Sequence, residues 1–192
     1  DRPLERVVVA SSSSVYGMPQ RLPTPEEEPP RPLSPYGVTK VATEALLQAY
    51  RASCGVPTVG IRYFTVYGPR QRPDMGIHRF LAAAQRGAEI PVYGDGEQTR
   101  DFTFVDDAVA ATLAALERPV ESLVYNVGGG HRITVNELLH AVERASGAPV
   151  KRRYEPAVTG DPRDTSADTS RARRELGYEP RTGLDEGLRR QW

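Results

Sequence analysis

The order of secondary-structure patterns at the start of the chain constrains the fold most. The β-branched run RVVVA at 6–10 predicts a strand buried on both faces. From Ser34 the sequence is helix-periodic to about Cys54-Gly55, and TVGIRYF at 58–64 predicts a second strand. A strand, a helix and a strand indicate a βαβ unit with a parallel sheet, so we predict the α/β class. The apolar face of the helix consists of Val38, Val41, Ala42, Ala45, Leu46 and Ala49.

The rest of the chain predicts a mixed set of shorter elements. Thr134 and Glu137 have the spacing of a capping box, and Asp106 or Asp107 is the expected cap of the helix that follows RDFTFV. Residues 147–166 are rich in charge and proline and predict a loop. The other predicted elements are helices over 76–87, 105–117, 168–176 and 183–192 and strands over 90–94, 100–105 and 122–130.

Charge and cysteine content argue against several classes of protein. Lys plus Arg number 25, as do Asp plus Glu, and this zero net charge gives no electrostatic footprint for nucleic acid or an anionic membrane. No apolar run approaches the roughly 18 residues of a membrane-spanning helix. The single cysteine, Cys54, rules out an internal disulfide and favours a reducing cytoplasm. His78, His131 and His140 lack metal-ligand spacing, so we predict no metal site.

Tyr36 and Lys40 have the spacing of a proton-transfer pair. Residues i and i+4 share one face of a helix, and an ammonium group favours the phenolate of a nearby tyrosine, which alone is a poor base at neutral pH. The serines of SSSSVYG at 11–17 follow the first strand, at the sheet edge where open parallel sheets bind ligands. Two surface residues and a polar turn would give the same patterns, because Y-x-x-x-K also arises by chance.

The usual turn of a dinucleotide site does not occur in this sequence. Parallel α/β proteins bind a dinucleotide pyrophosphate on a glycine-rich strand-to-helix turn, and the 192 residues contain no G-x-G-x-x-G. NVGGG at 126–130 follows a predicted strand but lacks the spaced third glycine. A single βαβ unit also cannot supply both edges of a doubly wound sheet. We therefore expect the chain to be the C-terminal part of a longer protein.

Six ordered motifs resemble those of the extended short-chain dehydrogenase/reductases, the NAD-dependent nucleotide-sugar epimerases and dehydratases. The motifs are SSSSVYG (11–17), SPYGVTK (34–40), RYFTVYGPRQRP (62–73), VYGDGEQTRDFTFVDD (92–107), YNVGGG (125–130) and ADTSRARRELGYEP (167–180). The resemblance implies the C-terminal part of a Rossmann-type doubly wound parallel sheet plus a smaller mixed α/β domain. About 100 residues carrying the glycine-rich turn would precede it, so the chain alone is expected to be inactive.

The resemblance also divides the chain into two domains. Residues 1–75 would be the remaining part of the NAD-binding domain. Residues 76–192 would mainly form the nucleotide-sugar domain, with elements near 101–130 packing back on the first domain.

The resemblance implies catalytic roles for five residues. Tyr36 would be the acid/base, and Lys40 would hydrogen-bond the nicotinamide ribose of NAD and tune Tyr36. Ser12 would hydrogen-bond the 4-hydroxyl of the sugar, with support from Ser13 and Ser14.

The reaction and the sugar follow from two further positions. Family dehydratases carry Asp-Glu after the catalytic Ser/Thr, whereas this chain has Ser13 and Ser14 and so lacks the carboxylates that expel water. The resemblance therefore favours 4-epimerisation through a transient 4-keto sugar. The segment with Thr65 and Arg72 resembles that of UDP-glucuronate 4-epimerases, and an arginine fork suits a carboxylate. Arg70 is the competing arginine, and either side chain would serve equally for the diphosphate.

The family resemblance also implies the remaining residues around the cofactor and the nucleotide. Ser11 and Phe64 would join Tyr36 and Lys40 around NAD, with Phe64 lining the nicotinamide pocket. The other residues expected at the UDP sugar are Val92 and Tyr93 at the uracil, Arg100 at the diphosphate, and Asp161 and Arg163 at the ribose corner.

Several alternatives stay open within this resemblance. UDP-glucose 4-epimerase and UDP-glucuronate decarboxylase are the alternative enzymes, and a non-catalytic module that senses NAD or a nucleotide is the alternative outside enzymology. Family members commonly form dimers through two helices, one of which carries the Tyr36–Lys40 pair, so a homodimer is expected.

Overall fold

The predicted βαβ unit is present at the start of the chain. The computed structural model describes residues 4–157, 160 and 162–192. Strand β1 (Val7–Ser12), helix α1 (Pro35–Cys54) and strand β2 (Thr58–Tyr63) follow one another, and β1 pairs with β2 in parallel, with Ser12 opposite Tyr63. Helix α1 begins at Ser34, whose hydroxyl accepts the Gly37 N–H at 3.1 Å. The α/β class is therefore confirmed.

The first sheet has helices on both faces. A third strand, β7 (Val124–Val127), pairs in parallel with β2, which gives the order β1-β2-β7. Neighbouring residues of a strand point to opposite faces of the sheet. On one face, Val59 and Ile61 pack in a core with helices α3 (Val105–Glu117) and α5 (Ser170–Leu176). On the other face, Gly60 and Arg62 point towards α1. This is the doubly wound arrangement expected from the sequence.

The first strand is less buried than its apolar run predicts. Val7, Val8 and Val9 are only partly buried and Ala10 is exposed. The reason is position, because within the described residues β1 is an edge strand that pairs with β2 alone.

Helix α1 turns most of its apolar stripe away from the sheet, although Val41 is partly buried and packs against Val15, Tyr16 and Phe64. Val38 and Leu46 are 54% and 59% exposed, and the alanines of the predicted face are also exposed. The side packed on the sheet carries Gly37, Glu44 and Leu47 instead. The apolar periodicity therefore marks a second face of this helix.

A second core forms between shorter elements. Its members include Leu138, Leu139 and Val142 of helix α4, with Val92 and Leu188 from other elements. The elements outside the first sheet, besides α3 and α5, are β3 (Val66–Tyr67), α2 (Gly76–Arg86), β4 (Glu89–Tyr93), β5 (Thr99–Asp101), β6 (Thr103–Phe104), β8 (Arg132–Thr134), α4 (Val135–Ser146), β9 (Lys151–Glu155) and α6 (Leu184–Gln191). β3 pairs with β6 and β4 with β9 in parallel, while β5 pairs with β8 antiparallel.

Three local predictions are wrong for reasons of tertiary context. The run RDFTFV forms two strands, because β5 and β6 pair with different partners. The segment 147–166 contains β9, whose partner β4 lies far away in sequence. Neither Asp106 nor Asp107 caps α3, which has no side-chain cap. The Asp106 carboxylate accepts from Arg190 at 2.6 Å, and the buried Asp107 carboxylate accepts the N–H groups of Arg181 and Thr182 at 3.0 and 3.1 Å.

One further local prediction is confirmed. The Thr134–Glu137 capping box is present at the start of α4. Helix α3, which follows residue 101 in the chain, contacts both β1 and β2. Among the described residues, no helix has the length and apolar character needed to cross a lipid bilayer.

Candidate active site

A cavity of about 600 Å³ opens where β1 and β2 end. Its wall combines the serine segment after β1, the first turns of α1 and the loop that follows β2. Polar side chains therefore meet at the carboxyl edge of a parallel sheet, the usual position of ligand sites in such folds. The polar lining residues are Ser11, Ser12, Ser13, Ser14, Tyr36, Lys40, Tyr63, Thr65, Tyr67, Arg70, Gln71 and Arg72.

The serine segment presents a hydroxyl pair to this cavity. Ser12 caps a single 3₁₀ turn (Ser13–Val15), and its Oγ accepts the Ser14 N–H at 3.1 Å. The Ser12 hydroxyl also lies 3.1 Å from Ser14 Oγ. Helix α1 approaches this turn closely because Gly37 lacks a side chain: a Cβ there would lie 2.6 Å from the Ser14 carbonyl oxygen.

Tyr36 and Lys40 lie one turn apart on the cavity side of α1. The Lys40 ammonium is 5.5 Å from the centre of the Tyr36 ring and donates a hydrogen bond to the Ala10 carbonyl at 2.8 Å. Tyr36 is 54% exposed. The lysine is thus fixed to the end of β1, and the phenol faces the cavity.

Three other tyrosines near the sheet edge are poor candidates for proton exchange. Burial raises the pKa of Tyr16 to about 12, and its hydroxyl donates to Asn126 at 2.7 Å. Burial also raises the pKa of Tyr63, which bonds Thr112 at 2.6 Å, and the pKa of Tyr67. The hydroxyls of Tyr16 and Tyr63 are already engaged inside the protein, whereas Tyr36 is exposed on the cavity wall. Geometry therefore singles out Tyr36.

A buried ion pair, which sequence reasoning missed, fastens α1 to the sheet. Arg62 of β2 donates to both carboxylate oxygens of Glu44 at 2.6 and 2.8 Å, and neither side chain is more than 8% exposed. The Ser11 hydroxyl also donates to Glu44, and Arg62 reaches the Tyr16 hydroxyl at 2.8 Å. Glu44 follows Lys40 by four residues and so shares its face of α1, but no local pattern marks this glutamate as buried.

A second cavity of about 300 Å³ adjoins the first. The two share Thr65, Gln71 and Met75 as lining residues. Val92 and Tyr93 of β4 line the second cavity together with Arg100, whose guanidinium donates to the Thr99 and Arg163 carbonyls at 2.8 and 3.0 Å. An elongated ligand could therefore contact the serine and tyrosine hydroxyls at one end and an apolar pocket with an arginine at the other.

Two arginines of the loop after β3 line the first cavity. Arg72 forms an exposed ion pair with Asp74 at 3.0 Å. Arg70 has φ 67°, a left-handed backbone that is unusual for a residue with a side chain.

Two predicted site residues, Phe64 and Arg163, line neither of the two cavities. Phe64 is buried against the Tyr16 ring, with centroids 6.3 Å apart. The Arg163 side chain pairs with Asp95 at 3.4 Å. Asp161 lies outside the described residues. Within the part of the chain that the structure describes, no group of three or more His, Cys, Asp or Glu residues could hold a metal ion.

Comparisons with known proteins agree on one family. Residues 1–128 match the family model described as "NAD dependent epimerase/dehydratase family". The chain is 41% identical over 186 residues to an uncharacterized UDP-glucose epimerase, YtcB, of Bacillus subtilis. The aligned region covers 96% of this chain and 58% of that protein.

Two solved structures are also similar. UDP-glucuronic acid 4-epimerase from Bacillus cereus, in complex with UDP-glucuronic acid and NAD, matches 99% of this chain and 61% of its own with 39% identity and a TM-score of 0.93. MoeE5 in complex with UDP-glucuronic acid and NAD matches 97% and 63% with 47% identity and a TM-score of 0.90. The chain thus spans about three fifths of the length of these proteins.

Proposed function

The chain belongs to the NAD-dependent epimerase/dehydratase family, and on that premise we propose that it acts as a nucleotide-sugar 4-epimerase on UDP-glucuronate. One observation carries the proposal. Tyr36, Lys40 and four serines line a single cavity, and among its described lining residues there is no Asp, Glu or His. Such a wall can exchange a proton with a sugar hydroxyl, but it offers no carboxylate to remove water or a C5 proton.

The family is NAD-dependent, and the cavity residues fit the nicotinamide ribose end of this cofactor. A lysine ammonium has three N–H donors, and the Ala10 carbonyl takes one of them. The donors that face the cavity suit the hydroxyls of a ribose. Lys40 and Tyr36 would hold this part of NAD, and Ser11 lies on the same cavity wall. Bound NAD supplies the oxidation of the sugar at C4 and its reversal.

The residues of the chain would move the proton of the 4-hydroxyl. Tyr36 exchanges this proton, with the Lys40 ammonium 5.5 Å from the centre of its ring. Ser12 donates to or accepts from the same sugar oxygen, and Ser14 fixes the orientation of the Ser12 hydroxyl at 3.1 Å.

Preference for a uronate rests on Arg72 and Thr65. A 4-keto hexuronic acid is a β-keto acid, so an epimerase must hold the carboxylate away from the alignment that loses carbon dioxide. Arg72 can grip a carboxylate with two N–H donors. Its present partner, Asp74, is exposed, and an exposed ion pair is worth only about 0–1 kcal/mol, so exchange for a ligand carboxylate costs little.

The nucleotide would occupy the second cavity. Val92 and Tyr93 provide the apolar contact expected at a uracil ring, and Arg100 provides a cation for the diphosphate. We assign Arg163 and Asp161 to the ribose corner on family resemblance alone.

We propose that the exposed apolar face of α1 forms the interface of a homodimer, in which a second copy of the protein buries it. This face carries Val38, Leu46 and Tyr50, each more than half exposed. An apolar stripe of this kind is typical of an interface. Sedimentation velocity that finds only monomer at micromolar concentration would rule out this homodimer.

UDP-glucose is the second candidate substrate, since the similar Bacillus subtilis protein is named a UDP-glucose epimerase. The deciding assay offers UDP-glucuronate and UDP-glucose in parallel to the protein as encoded in full and resolves the products. We expect UDP-galacturonate as the main product. UDP-galactose as the main product would support the alternative, and UDP-xylose would indicate a decarboxylase.

The role of Arg72 has its own prediction. Arg72→Ala should lower kcat/KM for UDP-glucuronate by about 30- to 100-fold, because a charge-assisted contact is lost, and leave any turnover of UDP-glucose within about threefold. Arg79→Ala, an exposed arginine on α2, is the control and should change neither value. An equal loss on both sugars would instead assign Arg72 to the diphosphate.

A further inference from the structure

Two glutamine side chains bridge the loop at 68–72, which carries both arginines of the cavity wall. Gln191, in the last turn of α6, accepts the Gly68 N–H at 2.9 Å and donates to the Gln71 carboxamide oxygen at 2.9 Å. Gln71 in turn donates to the Val66 carbonyl at 3.0 Å and accepts the His78 N–H at 3.0 Å. The bridge therefore joins the loop to β3, α2 and α6.

The bridge explains how Arg70 keeps its unusual backbone. A left-handed conformation is disfavoured for residues with a side chain and persists where the surroundings fix it. Here the fixed points lie on both sides of Arg70. Gly68 is bonded to Gln191, Gln71 is bonded through its side chain, and the Gln71 N–H closes the turn on the Gly68 carbonyl at 3.1 Å.

Helix α6 has a fixed register, so its last turn is a firm anchor. Leu188 is fully buried in the second core. Arg190 lies 4.5 Å above the Phe104 ring and pairs with Asp106 at 2.6 Å. The helix backbone also approaches β3 closely, since a Cβ at Gly187 would lie 2.3 Å from the Tyr67 hydroxyl oxygen. Sliding or rotation of α6 would break these contacts.

We propose that Gln191 is a positioning residue for substrate binding. Through Gly68 and Gln71 it holds the 68–72 loop in the conformation that presents Arg70 and Arg72 to the cavity. Gln71 also lines the second cavity, so the bridge sits at the junction of the two. The inference rests on the proposed function only for the identity of the ligand.

The test compares Gln191→Leu with Gln191→Glu in the protein as encoded in full, loaded with NAD. Leucine has a similar size but can make neither bond, whereas glutamate keeps an acceptor for the Gly68 N–H and loses the donor to Gln71. Arg189→Leu is the matched control, because Arg189 is an exposed residue of the same helical turn. Hydrogen exchange of the 66–72 amides and steady-state kinetics are measured for each protein.

We expect Gln191→Leu to speed exchange at Gly68 and to raise KM for the UDP sugar by about tenfold, with kcat within about threefold. The kcat should persist because Tyr36, Lys40 and Ser12 lie on other elements. Gln191→Glu should keep Gly68 protected and raise KM less. A merely structural role would lower the active fraction, and so the apparent kcat, at constant KM.

Faster exchange at Gly68 without a higher KM overturns the proposal, as does a higher KM without faster exchange. It is also overturned if Arg189→Leu changes both quantities as much as Gln191→Leu does. The kinetic measurement uses whichever UDP sugar the unaltered protein turns over, so a wrong choice of sugar does not affect this test. If it turns over neither, the proposed function fails, and unchanged exchange at Gly68 in Gln191→Leu would by itself refute the positioning role.

Discussion

At the scale of single residues, chemistry at the sheet edge depends on which hydroxyls face the cavity. Four consecutive serines look equivalent in the sequence, yet their surroundings differ. The Ser11 hydroxyl donates to Glu44, while the Ser12 hydroxyl lies beside that of Ser14 at the cavity. Tyrosines differ in the same way, since burial raises the pKa of Tyr16 while Tyr36 is exposed.

Tyr36→Phe should therefore lower kcat by about 1,000-fold on every sugar accepted, because general acid–base catalysis is lost. The melting temperature should hardly change, since the lost hydroxyl lies on a side chain that is 54% exposed. Tyr50→Phe, at a similarly exposed position of the same helix, is the control. Activity of Tyr36→Phe within tenfold of the unaltered protein would show that another group exchanges the proton.

At the scale of elements, one buried ion pair determines how α1 sits on the sheet. Glu44 and Arg62 join the helix that carries Tyr36 and Lys40 to the strand beside β1. Both charges are out of water, so each is tolerated only because the other is present. Local periodicity predicted the helix but not this side of it, since a buried glutamate looks like a solvent-exposed residue in the sequence.

Removing one charge of this pair should be costly. Arg62→Met leaves the Glu44 carboxylate buried and should lower the free energy of unfolding by about 3 kcal/mol, measured by denaturation in guanidinium chloride. The double variant Glu44→Met/Arg62→Met should recover a large part of that loss. Arg144→Met breaks an exposed pair with Asp185 and should cost at most about 1 kcal/mol. A cost for Arg62→Met as small as for this control would contradict the structural role.

At the scale of the whole molecule, the two ends of the proposed ligand site depend on different parts of the fold. The 300 Å³ cavity for the nucleotide is built entirely from residues between Thr65 and Leu138. The sequence has no G-x-G-x-x-G turn for a dinucleotide pyrophosphate. The 192 residues thus carry the proposed nucleotide pocket and the proposed acid/base pair without that turn.

These 192 residues, expressed alone, should therefore bind UDP and NAD very differently. We expect UDP to bind with an affinity within about tenfold of that of the protein as encoded in full, and NAD to bind at least about 100-fold more weakly, because charge-assisted pyrophosphate contacts are missing. Isothermal titration calorimetry measures both. Tight binding of NAD, or turnover of a UDP sugar, by the 192 residues alone would refute this expectation.

The sequence by itself determined the elements that depend on local interactions. The βαβ unit, the end of α1 near Gly55 and the Thr134–Glu137 capping box follow from periodicity and from bonds between near neighbours, and all are present in the structure. The ordered motifs of the sequence also indicated the family.

Only the tertiary structure decided which of these residues meet. Four features join residues that are distant in sequence. They are the pairing of β5 with β8 that splits RDFTFV, the pairing of β9 with β4, the Glu44–Arg62 ion pair and the Gln71–Gln191 bridge. Gln71 and Gln191 lie 120 residues apart, and no local sequence pattern at either residue predicts their hydrogen bond. Local patterns report on bonds within a few residues, whereas burial and long-range hydrogen bonds depend on how the whole chain packs.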